Sequence, residues 1–178
     1  MVKPQSYVVH LHWVGRKLAE HGYDTDTICA GYLHDNLEDL PDLWNKRRVS
    51  RNFGKKVGEL VDFVTQQDKS LPWEEKTRLY RERLRKAPDE AVAISLVDKL
   101  HNINSLLPWL QQGYQVNEIL KRGYTKNSEK FHALVPVFKG RVPEKLFSEY
   151  VKALNTFDSF EHEIDSVSYT HLTLPTKA

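Results

Sequence analysis

Sulfur is nearly missing from this chain: Cys29 is its one cysteine and Met1 its one methionine. No internal disulfide can form and no multi-cysteine zinc site can be built, so any metal must be held by nitrogen and oxygen. Long apolar runs are missing too. Nothing approaches the roughly 18–20 apolar residues needed to cross a bilayer, and the opening MVKPQSYVVHLHW lacks the ordered regions of a signal peptide. A cytoplasmic protein with no membrane partner is expected. Strand-like alternation is nowhere sustained; VVHLHWV comes nearest and flows into a helical pattern. An excess of one charge is also lacking. A net charge of +2 does not define a nucleic-acid surface, although Lys46, Arg47, Arg48, Arg51, Lys55 and Lys56 lie close together. That cluster reads as a solvated basic loop and helix start.

What remains is an ordinary globular mixture, 40% hydrophobic and 28% charged in 178 residues, which suits one domain with a proper core. Apolar residues recur at helical period. Val9, Trp13, Val14 and Leu18 mark a first helix over about 7–21, stopped by Gly22. Asp24 or Thr25 caps a second, which Ile28, Ala30, Leu33 and Leu37 carry on to Pro41. After a basic connection containing Asn and Gly, Val57, Leu60, Val61 and Val64 mark a third. The stretch 73–86 carries the i,i+4 pairs Glu74–Arg78, Arg78–Glu82 and Glu82–Lys86 of a solvent-facing helix. Pro88, Asp89 and Glu90 start a helix whose run AVAISLVDKLHNINSLL is apolar enough to be buried. Later helices are expected over about 128–138 and 143–157. The expected fold is therefore all-α, a helical bundle over residues 1–165 with covering helices at about 128–160. The segment VSYTHLTLPTKA does not continue the preceding periodicity and resembles a translated sequencing adapter, so 166–178 is expected to be a non-native tail.

The chemistry gathers in LHDNLED. On a helix, His34 and Glu38, and Asp35 and Asp39, each four apart, share neighbouring faces. Burying so many carboxylates without a counter-charge costs several kcal/mol. A bound cation removes that cost. Imidazoles with carboxylate oxygens suit borderline divalent ions such as manganese, iron or zinc. By itself a His-Asp dipeptide is more often a surface pair than a metal site. Here another His precedes it, and an Asp followed by Lys-Leu-His-Asn comes later.

Together YVVHLHWVGRKLAEHGYDTDTICAGYLHDNLED and VDKLHNINSLL resemble the first and last metal-binding helices of HD-domain hydrolases. The similarity is to the branch containing alarmone (ppGpp) hydrolase domains and their small stand-alone relatives, and spans roughly Tyr7 to Leu107. It implies a bundle with the metal site between helices. His10, His34, Asp35 and Asp98 would ligate a divalent metal, Mn2+ first with Fe2+ or Zn2+ as alternatives. Glu38 and Asp39 would position or deprotonate the attacking water, and Asn102, one turn beyond Asp98, would contact substrate. Leu11 stands where the family often has Pro, and His12 offers a competing imidazole; spacing to His34 selects His10. Lys69 in VTQQDK is a candidate for a substrate phosphate, set against an exposed loop lysine. His21, His101 and His132 read as structural or surface imidazoles, and Trp13, Trp44, Trp73 and Trp109 as core or rim aromatics. The implied function is (p)ppGpp 3′-pyrophosphate hydrolysis. Hydrolysis of another nucleotide or phosphoester is the first alternative, and a nucleotide-binding regulator without turnover the second.

Overall fold

A computed structural model describes residues 7–66, 70–114, 119 and 122–160; Lys69 and the expected non-native tail lie outside them. Every regular element among the described residues is a helix, as the periodicity predicts. They are α1 (Tyr7–Glu20), α2 (Thr25–Leu33), α3 (Asn36–Asp39), α4 (Lys46–Phe53), α5 (Lys55–Val64), α6 (Trp73–Lys86), α7 (Asp89–Gln111), α8 (Gly123–His132), α9 (Val135–Phe138) and α10 (Glu144–Asp158). None is long and apolar enough to cross a membrane.

Helix α7 is the axis. Every residue from Ala91 to His101 is buried, including the polar Ser95, Asp98, Lys99 and His101 among the apolar residues. Helices α1, α2, α5 and α10 pack around it. The shared core holds Val14 and Leu18 from α1, Leu60 and Val61 from α5, and Tyr150 and Phe157 from α10. The buried Tyr150 hydroxyl donates to the Phe131 carbonyl at 2.9 Å, tying α10 to α8.

The α1–α2 pair sets the site. Gly22 closes the link between them with φ 75°, a conformation that glycine adopts without strain. Asp24 caps α2, accepting from the Thr27 backbone N–H at 2.9 Å. The two helices approach too closely for side chains at two positions. A Cβ on Gly15 would lie 2.3 Å from the Tyr32 ring, and one on Gly31 would lie 2.4 Å from Leu18. This contact brings the start of α1 beside the end of α2.

Three expectations are corrected. Helix α2 stops at Leu33 and does not run to Pro41. His34 and Asp35 keep right-handed torsions, but the Glu38 N–H bonds back to the Asp35 carbonyl at 3.0 Å, a tighter turn that restarts the chain as α3. The basic stretch after Trp44 is a helix, α4, capped by Asn45, whose side chain accepts from the Arg48 N–H at 2.9 Å. The segment expected over 128–138 begins earlier and divides at Ala133 and Leu134 into α8 and α9. Helix α7 also continues through Pro108 to Gln111.

Candidate metal centre

Four sequence-selected groups converge. His10 comes from α1, His34 and Asp35 from the turn after α2, and Asp98 from the middle of α7. The Nε2 atoms of His10 and His34 lie 3.1 Å apart. Asp98 Oδ1 is 3.5 Å from His10 Nε2 and 3.9 Å from His34 Nε2. Asp35 Oδ2 is 3.2 Å from His34 Nε2 and 3.7 Å from His10 Nε2. Among the described residues, His10, His34 and Asp98 form a group whose ligand atoms all lie within 4.8 Å of one another, with Asp35 on its flank.

The donors fit a divalent ion. Two nitrogens roughly 2.1 Å from one ion and near a right angle lie about 3 Å apart, matching the imidazole separation. His34 is correctly presented: its Nδ1–H donates to the Gly31 carbonyl at 2.8 Å, leaving the Nε2 lone pair facing the cluster. The tighter turn at His34 therefore has a use. It lets the imidazole fold back on α2 while Asp35 reaches the same point.

The charges in the cluster are mutually adjusted. Burial opposes charge on His34, yet its hydrogen bond with Asp35 and the fields of Asp98 and Asp35 push it up to about 9. A proton there stands where a cation belongs, and a metal would displace it. His10 is shifted down, chiefly by burial, with Asp98 opposing and His34 assisting. Burial also works against ionised Asp98, but Lys99, His34 and His10 hold its carboxyl below the usual range. Lys99 is buried beside it, and the pair shares a hydrogen bond. The Asp98 charge raises the Lys99 ammonium despite desolvation.

The other selected residues fall at different distances from this point. Glu38 is half-buried, accepts from the Gln66 backbone N–H, and is raised mainly by burial. Asp39 is exposed at the end of α3. Asn102 donates to Asp98 Oδ1 at 2.7 Å, so its amide supports the cluster directly. His12 is exposed against Tyr32 and stays outside the cluster. His21 faces Glu149 at 3.5 Å and His132 bonds Asp158 at 2.8 Å, structural and surface roles as expected.

Sequence reasoning missed three cations and one imidazole. Lys99 was signalled only by being a charge inside the apolar run of α7. Arg81 and Lys130 line a narrow slot with Gln66, Thr77, Tyr80 and Leu134, and no carboxylate lines it among the described residues. Among the described residues, buried Arg81 Nε has no hydrogen-bond partner. Lys130 forms no ion pair among the described residues, and Lys99 first, then burial, pushes it down to about 8. His101, read as structural, places Nδ1 2.9 Å from His10 Nδ1. Burial, then His10, holds His101 down at about 4.

The HD domain family model matches residues 2–121, well over half of the chain. The chain belongs to the HD-domain family. It is 32% identical over 115 residues to guanosine-3′,5′-bis(diphosphate) 3′-pyrophosphohydrolase MESH1 of Xenopus tropicalis, a match covering 64% of this HD protein and 63% of the frog protein. It is 33% identical over 108 residues to the bifunctional (p)ppGpp synthase/hydrolase SpoT of Escherichia coli K12, covering 57% of this chain and 15% of that one. The chain thus spans under two thirds of these relatives. Among solved structures, lmo0812 of Listeria monocytogenes EGD-e superposes with a TM-score of 0.74 at 26% identity, over 87% of this chain and 99% of that one. A metazoan SpoT orthologue, described as hydrolysing ppGpp, superposes with a TM-score of 0.67 at 27% identity, over 85% of this chain and 81% of that one. The shared fold is the all-α HD domain.

Proposed function

We propose that this HD-domain protein is a divalent-metal phosphohydrolase that removes the 3′-pyrophosphate of (p)ppGpp, with His10, His34, Asp35 and Asp98 as metal ligands and Mn2+ as the metal. The observation that carries the reading is the convergence of those four groups beside a half-buried Glu38 and the cations Lys99 and Lys130. The printed activities of the frog and metazoan relatives support the choice of substrate. When bound, the ion lowers the pKa of a water and offsets negative charge on phosphate oxygens.

The residues supply the rest. Glu38 takes the water proton, since burial raises its basicity while the Gln66 N–H holds one oxygen in place. Asp39, exposed next to it, exchanges that proton with solvent. Lys130, which forms no ion pair among the described residues, and Arg81, whose Nε has no hydrogen-bond partner among them, are assigned to the multiply charged substrate. Asn102 donates to Asp98 Oδ1, and its assignment to substrate contact rests on the resemblance. Lys69 is assigned to a substrate phosphate from its place in the sequence alone.

The test is metal content by mass spectrometry on purified protein, with phosphate and pyrophosphate release from a nucleotide panel that includes ppGpp. Metal-dependent pyrophosphate release from ppGpp supports the reading. Metal with release from another nucleotide only would transfer the same chemistry to a different phosphoester. Binding of nucleotide with no turnover at any metal would make the protein a regulator.

A further inference from the structure

We infer that His101 is a positioning residue that fixes the tautomer of His10, so that the His10 Nε2 lone pair faces the metal cluster. The inference rests on the metal-site reading above. Its basis is the 2.9 Å contact between the two Nδ1 atoms, one of which must donate and the other accept. If His101 donates, His10 carries its proton on Nε2, aimed at His34 Nε2 only 3.1 Å away. That arrangement blocks the cluster. If His101 accepts, the His10 proton sits on Nδ1 and Nε2 is free to ligate.

The metal-site reading selects the second arrangement, since an Nε2 that ligates carries no proton and His10 must then hold its proton on Nδ1. His101, protonated on Nε2 as a free histidine prefers, offers a bare Nδ1 as the acceptor. His10 then takes the less common tautomer to meet it. The other imidazole is handled in the same way: His34 donates from Nδ1 to the Gly31 carbonyl, an acceptor with no alternative role. His101 thus does for α1 what a backbone carbonyl does for α2. Its ring is well held. His101 is buried, lies one turn beyond Asp98 on α7, and packs on Trp13 of α1 with centroids 5.0 Å apart.

The experiment compares wild type, His101→Leu and His101→Asn as full-length chains. Mn2+ affinity is measured by chelator competition, and the His10 tautomer by two-bond 15N–1H spectra of the metal-free proteins. Asn can place an amide oxygen where Nδ1 stood, whereas Leu offers no acceptor. Wild type should show His10 protonated on Nδ1. His101→Leu should lose that signature and about 10–100-fold in Mn2+ affinity, the scale seen when a ligand's outer partner is removed. His101→Asn should stay within about threefold of wild type. Nε2-protonated His10 in wild type, or unchanged affinity in His101→Leu, overturns the inference while leaving the metal site standing. If wild type binds no Mn2+, the metal reading fails, and the tautomer spectra still decide the role of His101. If His101→Leu fails to fold, the wild-type spectrum and the Asn variant decide it.

Discussion

Changing Asp98 to Asn separates what this residue does for folding from what it does for metal. Lys99 is buried beside it and its ammonium is held chiefly by the Asp98 charge. Removing one partner of a buried pair leaves the other uncompensated, which costs about 3–5 kcal/mol. For a chain of this size each kcal/mol moves the melting temperature by about 2–4 °C, so metal-free Asp98→Asn should melt about 6–20 °C below wild type. The metal effect is read independently. Mn2+ at a hundred times its dissociation constant stabilises the folded state by about 2.7 kcal/mol, an increase of about 5–11 °C for wild type. Asp98→Asn should show almost none of that increase. The double variant Asp98→Asn/Lys99→Met removes both charges and should regain most of the metal-free loss without regaining the Mn2+ response. Calorimetric melts with and without Mn2+ measure all of these. A single variant that melts within about 1 °C of wild type, or keeps the full Mn2+ shift, would refute the reasoning.

Three other outcomes are expected. Glu38→Gln should keep its metal and lose on the order of 100-fold or more in turnover; because burial raises Glu38, wild-type turnover should climb as pH rises through that raised value, and the variant's acid limb should flatten. Lys130→Met removes a cation that forms no ion pair among the described residues, so the metal-free protein should melt at least about 2 °C higher at pH 7 while KM for ppGpp rises; a lower melting temperature would show the ammonium to be satisfied. The Asp24 carboxyl is held at about 2, first by the Lys56 hydrogen bond and then by Thr27. Its folded value lies below the unfolded 3.8, so its stabilisation is complete above that pH and lost as pH falls from 3.8 towards 2. Acid melts of Asp24→Asn should lack that component.

Most helices were legible because periodicity is a local signal, and the four converging groups were legible through the resemblance. Periodicity marks α1, α5 and α7, and the pattern around His34 carries the resemblance. The turn at His34 and Asp35 was hidden for a physical reason: both residues keep helical torsions, so neither Gly nor Pro announces the break. Helix α4 was hidden by its composition. Its basic residues imitate a solvated loop, and a single buried residue, Val49, anchors it. The roles of His101, Lys99 and Lys130 depend on which helices cross, and no spacing along one helix could supply that.

The donors of the metal centre also have a consequence for the folding of α1. This first helix meets the rest of the chain at the site through residues as far apart as His10 and His101, 91 positions in sequence. An ion held by the proposed ligands would act as a removable cross-link between α1, the turn after α2 and α7. Any opening that detaches α1 must then release a ligand, so amide protection in α1 should rise with free metal by about 1.4 kcal/mol for each tenfold increase in concentration above the dissociation constant. Hydrogen exchange at the amides of α1 thereby becomes a gauge of metal occupancy that needs neither substrate nor turnover.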